Sequence, residues 1–170
     1  MTPFLPADFE HPARLDLPTG HHLRPIRESD IGIDYPAVMG SRERLWTIFG
    51  EVWGWPPATM TFEQDQRDLA RHEREQNAHE SFNYAVLDEA ETQLFGCVYL
   101  DPPARVGADV DISWWVVDDA VGGPLETCLL AMIPEWIETA WPFVSPRFVG
   151  RDLTWTEWLA LPEVMPPSDG

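Results

Sequence analysis

The spacing of apolar residues predicts two amphipathic helices in this chain. Between Ser41 and Gly54 the apolar residues recur at intervals of three and four, which places them on one helical face. They are Leu45, Ile48, Phe49, Val52 and Trp53. A second stripe follows Gly123 and consists of Leu125, Leu129, Met132, Ile133, Trp136, Ile137 and Ala140. We expect Gly54 and Pro56 to end the first helix, and Pro134 to kink the second.

Apolar runs of strand length lie between and around these helices. Three candidate strands begin at Phe82, Gln93 and Asp109, and the segments "EAET" and "DPPARVGA" supply turns between them. The last two are apolar on both faces over much of their length, which is typical of central strands in a covered sheet. We also expect strands near residues 23–26 and 147–149.

Capping patterns predict two further helices. Thr61 and Gln64 form a capping-box pattern at the start of a mostly polar segment, which we expect to cover an edge or a cleft. Thr154 and Glu157 repeat the pattern near the end of the chain, where a short helix fits.

The first part of the chain is rich in proline and has no periodicity. We therefore expect residues 1–20 to form an irregular N-terminal arm and residues 21–170 to form a single domain. Ser29 or Asp30 should begin a helix within that domain. That helix should be short, because Pro36 interrupts it.

The charge balance limits the classes of partner. With 29 acidic residues against 11 Lys and Arg, the net charge is −18, which disfavours nucleic acid and anionic membranes and favours cationic ligands. The same acidity also serves solubility alone, so both interpretations stay open. No apolar run reaches the roughly 18 residues of a membrane helix, and the chain should be cytoplasmic.

No residue pattern predicts a metal site. Cys97 and Cys128 stand alone in apolar segments and should be buried free thiols. His72 and His79 lie seven residues apart on the polar segment, but no carboxylate or cysteine pattern completes a metal site with them, and solvent-exposed histidines are expected there.

Three segments, in order, carry a resemblance to a known family: "LRPIRESD", "YAVLDEAETQLFGCVYLD" and "DISWWVVDDAVGGPLETCLL". Over residues 23–149 the chain resembles the GCN5-related N-acetyltransferases, the GNAT superfamily. The resemblance implies an α/β (α+β) fold in which helices flank a mixed, mostly antiparallel central sheet. It also implies transfer of an acetyl group from acetyl-coenzyme A (acetyl-CoA) to an amine of a small molecule or protein.

The resemblance also implies a cofactor turn after the strand that begins at Asp109. In the family this turn reads Arg or Gln, two free positions, Gly, one free position, then Gly or Ala, and its N–H groups bind the pyrophosphate. Backbone pairing with the pantetheine arm is implied for Val116 and Val117. Contact with the pyrophosphate is implied for Val121, Gly122, Gly123, Leu125, Glu126 and Thr127.

The turn departs from the family pattern in its side chains. Asp119 stands at the Arg or Gln position, Pro124 stands at the second small residue and has no N–H, and Glu126 adds a negative charge to the first helical turn. The family's late tyrosine, which protonates the departing thiolate, has no counterpart, because Tyr35, Tyr84 and Tyr99 all precede the turn.

A candidate general base comes from the same resemblance. Asp111 lies where the resembling enzymes often carry an acid that takes a proton from the amine. By the two-residue period of a strand, Asp111 shares a face with Ser113, Trp115 and Val117. A solvated acid at the start of the strand is the alternative.

Two functions are consistent with the sequence. The first is a GNAT-type N-acyltransferase that uses acetyl-CoA. The second is a catalytically inactive GNAT-like module that binds a cationic ligand or partner protein in the same cleft. In either case the open sheet edge would allow two copies to pair as a homodimer.

Overall fold

The computed structural model describes residues 4–166, and the predictions for residues 1–3 and 167–170 lie outside this range. Six strands form one sheet in the order of the chain. They are β1 (Leu15–Asp16), β2 (His21–Pro25), β3 (Phe82–Asp88), β4 (Leu94–Asp101), β5 (Val110–Val116) and β6 (Pro146–Phe148). All neighbouring strands are antiparallel except β5 and β6, which are parallel. The predicted mixed, mostly antiparallel sheet is confirmed.

Five helices flank this sheet. They are α1 (Ile31–Gly40), α2 (Arg42–Trp53), α3 (Phe62–Asn77), α4 (Pro124–Ala140) and α5 (Trp155–Leu159). Side chains of α4 pack with Tyr84, Val98 and Ile112 on one face of the sheet. Side chains of α1, α2 and α3 pack with the opposite face, around Cys97 and Trp115. The sheet is therefore the middle of three layers.

Most predicted helix boundaries are confirmed, with one correction at α1. Both capping boxes form, at Thr61 and at Thr154, and Gly54 ends α2 with a positive φ of 60°. Pro36 does not interrupt α1, which continues to Gly40. The proline removes one helical hydrogen bond, but Ile31 and Val38 stay buried in the core, and this packing maintains the helix.

The predicted irregular arm packs against the domain. Leu5 and Leu17 are buried in the core on the α4 side, and Pro12 O accepts a hydrogen bond from Tyr84 Oη at 2.7 Å. Residues Leu15–Asp16 form the short strand β1, which the sequence pattern did not predict. Two residues are too few for a detectable period of two.

β4 and β5 approach each other closely where the site begins. The register between β3 and β4 shifts between Val86 and Leu87, which marks a bulge near Phe95. A Cβ on Gly96 would lie 2.1 Å from the carbonyl oxygen of Trp115. Only glycine therefore fits at this point of β4.

Candidate functional site

The residues that the resemblance assigned to acetyl-CoA lie together at one end of β5. Val116 closes the strand, a single turn spans Asp118–Ala120, and α4 begins at Pro124. Gly122 has a φ of 74°, which a residue with a side chain rarely adopts. The turn therefore has the strand–turn–helix form expected of an anion site.

Most N–H groups of this turn already have partners inside the chain. Gly122 N donates to Glu126 Oε1 at 3.2 Å, Val121 N to Asp118 O at 3.2 Å, and Gly123 N to Ala120 O at 3.1 Å. Pro124 has no N–H to offer. The N–H groups of Leu125 and Glu126 are the ones that the first helical turn leaves for a ligand.

The open edge of β5 is also engaged. Arg44 of α2 donates to the carbonyl oxygen of Val116, and its Nε lies 2.6 Å from Asp118 Oδ1. Asp118 N donates to Ser41 Oγ at 2.9 Å, and Val117 N donates to Phe95 O within the sheet. As it stands, the turn does not fit a pyrophosphate, because a carboxylate and an arginine of the chain occupy its polar groups.

A cavity of about 730 Å³ lies between α1, α2, α3 and the sheet, and it is strongly acidic. Its lining includes seven carboxylates: Asp34, Asp65, Asp68, Glu75, Glu80, Asp101 and Asp111. Arg67 and Arg71 are the arginines among its lining residues. Its aromatic lining comprises Trp53, Trp55, Tyr99, Trp115, Trp155 and Trp158. Aromatic walls of low dielectric combined with many carboxylates favour the binding of an organic cation.

Asp101, at the end of β4, is the cavity carboxylate best suited to accept a proton. Its Oδ1 accepts a hydrogen bond from Ser81 Oγ at 2.9 Å. Burial raises the pKa of Asp101 to about 6, and the charges of Glu75 and Asp111 act in the same direction. A general base is most effective when its pKa lies close to the working pH.

Asp111 lies directly opposite Asp101 in the sheet, and both its oxygens have partners. Oδ1 accepts from Arg147 Nε at 2.6 Å, and Oδ2 accepts from Trp158 Nε1 at 3.1 Å. Ser113 and Trp115 line the cavity beside it, as the two-residue period predicted. The role of Asp111 as a base stays a prediction, and its present contacts give it a structural role in holding α5 and β6 to β5.

His72 and His79 are not solvent-exposed, contrary to the expectation from sequence. The side chain of His72 is 20% exposed, and its ring lies 6.3 Å from that of Tyr99 in the cavity wall. Burial lowers the pKa of His72 to about 4, so the imidazole is neutral at pH 7. His79 is buried, and its Nδ1 lies 2.8 Å from Pro6 O of the arm. The short arm segments that cover His79 have no periodicity from which burial could be predicted.

Both cysteines are free thiols, with Cys97 buried and Cys128 half-buried. Within residues 4–166, no group of three or more His, Cys, Asp or Glu side chains is arranged to hold a metal ion. In the same range, no helix has both the length and the apolar character that crossing a membrane requires.

Among the comparisons with known proteins, the structural one identifies the fold. The sequence matches no protein-family model and no curated protein. The structure is similar to the ribosomal-protein-S5-alanine acetyltransferase of Vibrio fischeri, with 16% identity, a TM-score of 0.58 and coverage of 76% of this chain and 69% of that one.

Two further structures are similar over comparable lengths. A ribosomal L7/L12 alpha-N-protein acetyltransferase in complex with coenzyme A has 13% identity, a TM-score of 0.60 and coverage of 75% and 70%. The Salmonella typhimurium acetyltransferase that modifies the N-terminal serine of L7/L12 has 12% identity, a TM-score of 0.56 and coverage of 75% and 70%. The chain therefore has the fold of the GCN5-related N-acetyltransferases.

Proposed function

We propose that the chain binds an amine-bearing organic cation in the acidic cavity, with Asp101 as the group that accepts a proton from the amine. The observation that carries this proposal is the concentration of seven carboxylates around one cavity of about 730 Å³. The ammonium form would be attracted by this charge. Asp101, ionised at pH 7 because its pKa is about 6, would then hydrogen-bond the nitrogen.

Acylation of the bound amine is the first candidate activity. The similar structures are acetyltransferases of ribosomal proteins, and one of them is a complex with coenzyme A. The cavity supports the amine half of such a reaction, since it offers both a cation site and a base. The other half of the reaction is binding of the acyl donor. For this, acetyl-CoA would have to displace Glu126 from the turn and Arg44 from Val116.

Cation binding without catalysis is the second candidate, and the turn itself favours it. Glu126 and Arg44 satisfy the groups that an acyl donor would use. A protein that used the cavity alone would have no need to open them. The amine site is common to both candidates, so it is the feature to test first.

Calorimetric titration with octylamine, with octanol as the uncharged control, tests the site. We expect octylamine to bind and octanol to bind far more weakly. Asp101→Asn should weaken octylamine binding about tenfold or more, because a hydrogen bond to a charged group contributes about 1.5–3 kcal/mol.

Glu138→Gln is the matched control, because it removes one negative charge from an exposed position of α4, on the far side of the sheet from the cavity. It should leave octylamine affinity unchanged. Equal affinity for octylamine and octanol, or equal weakening by both substitutions, would overturn the proposed function.

A further inference from the structure

The acidic cavity has two ends, which are defined by residues on one face of β4. Cys97, Tyr99 and Asp101 alternate with buried residues of the opposite face, so all three point to the cavity side. Cys97 Sγ lies 4.0 Å from Asp34 Oδ1, which places Asp34 at the Cys97 end. Four residues of an antiparallel strand span about 13 Å. Asp34 and Asp101 therefore mark opposite ends of the cavity.

Helix α3 gives an independent estimate of the same length. Asp65 acts on the carboxyl of Asp34, and Glu75 acts on that of Asp101. These two residues are ten positions apart on one helix, a rise of about 15 Å. The strand and the helix therefore give similar separations of the two acidic ends, about 13 Å and about 15 Å.

The far end of the cavity holds a buried pair of carboxyls. Asp34 and Asp65 are each only 2% exposed. Burial, reinforced by Asp65, raises the pKa of Asp34 well above its ordinary value, and burial also raises the pKa of Asp65. Within residues 4–166, the buried oxygen Asp65 Oδ2 has no hydrogen-bond partner. The pair thus holds a buried acceptor that the fold itself does not satisfy.

A second unsatisfied acceptor lies between the two ends. Asn83 is opposite Tyr99 in the sheet and lines the cavity, and its side chain is buried, with the residue 3% exposed. Among the described residues, Asn83 Oδ1 has no hydrogen-bond partner. A buried acceptor without a donor is costly, so both Asn83 and Asp65 indicate a ligand that brings N–H groups.

We propose that the Asp34–Asp65 pair binds a second ammonium group, so that the ligand is a linear dication with its charges about 13 Å apart. This inference rests on the proposed function, which places the first amine at Asp101. The chain between the two charges would lie along Tyr99 and Trp115, and Asn83 Oδ1 would accept an N–H from it.

The test compares decylamine with diaminodecane, which differ only in the second terminal amine. In an apolar pocket the added ammonium would weaken binding, whereas a carboxylate pair at the far end should strengthen it. We expect diaminodecane to bind at least tenfold more tightly than decylamine in calorimetric titrations. Diaminobutane is too short to reach both ends and should show no such gain over butylamine.

The variant Asp65→Asn should remove the advantage of diaminodecane and weaken decylamine binding much less, because decylamine brings no second ammonium group to Asp65. Asp34→Asn should act in the same way and serves as the second variant if Asp65→Asn does not fold, and Glu138→Gln should change neither affinity. Equal wild-type affinities for the two probes, or an equal loss of both in Asp65→Asn, would overturn the second site while leaving the Asp101 site intact. If no amine binds at all, the proposed function fails as well.

Discussion

At Asp34, burial and the neighbouring carboxyl of Asp65 both oppose ionisation, and together they raise the pKa of Asp34 well above its ordinary value. In the unfolded chain this carboxyl ionises near the ordinary aspartate pKa of 3.8, whereas in the folded chain it retains the proton to higher pH. Stability from this group is therefore lost as the pH rises above about 4, up to the pKa of the folded state. At neutral pH, Asp34 destabilises the fold.

Replacing Asp34 with Asn should therefore stabilise the protein at pH 7. Asn keeps the shape of the protonated carboxyl and cannot ionise, so the melting temperature should rise, by about 2–4 °C for each kcal/mol of stability gained at this chain length. The gain should shrink at pH 4, where the unfolded chain also holds more of the proton. Thermal melts at both pH values measure it, and a lower melting temperature of Asp34→Asn at pH 7 would contradict this account.

Single residues of the cavity differ in how far the sequence identifies them. The two-residue period correctly placed Asp111, Ser113 and Trp115 on one face. Asp101 was missed, because β4 is apolar on both faces and its cavity side is set by the pairing of Asp101 with Asp111, a long-range contact. The burial of His72 was also missed, because it depends on Tyr99, which comes from a distant strand.

At the scale of elements, the start of α4 carries its own anion. The positive end of the helix dipole and the N–H of Gly122 both attract the carboxylate of Glu126, which therefore stands where a phosphate would bind. The acid was visible in the sequence. The reach of Arg44 from α2 to Val116 was not, since only the tertiary packing brings that side chain to the strand edge.

Removing the charge of Glu126 should make the turn more receptive to coenzyme A. We expect Glu126→Gln to raise the affinity about two- to fivefold, in line with the roughly 0.3–1 kcal/mol by which a charge interacts with a helix end. Calorimetric titration with coenzyme A measures the change. Glu138→Gln, near the other end of the same helix, controls for net charge.

An equal gain in both variants would attribute the effect to net charge alone. Wild-type binding tighter than about 100 μM, or −5.5 kcal/mol, would show that Glu126 does not obstruct the turn. It would also favour the acyltransferase over the non-catalytic binding module.

At the scale of the whole molecule, local patterns predicted the elements but not their arrangement. Apolar periodicity predicted α2 and α4, and strand-length apolar runs predicted β3, β4 and β5, within one or two residues. The parallel pairing of β5 with β6 crosses the whole of α4 and leaves no local signal. The family resemblance implied a mixed sheet but did not assign its parallel pair. Pairing of two copies through a sheet edge stays a prediction.

The aromatic lining of the cavity makes the protein its own optical reporter. Of nine tryptophans, five line this one space: Trp53, Trp55, Trp115, Trp155 and Trp158. Indole emission shifts to shorter wavelength when water leaves its surroundings, so an alkyl cation entering the cavity should shift the fluorescence of the unlabelled protein. The ligand concentration that gives half of this shift should equal the calorimetric dissociation constant. Both values should increase in Asp101→Asn. Emission that stays constant while heat is released would place the bound amine elsewhere on the molecule.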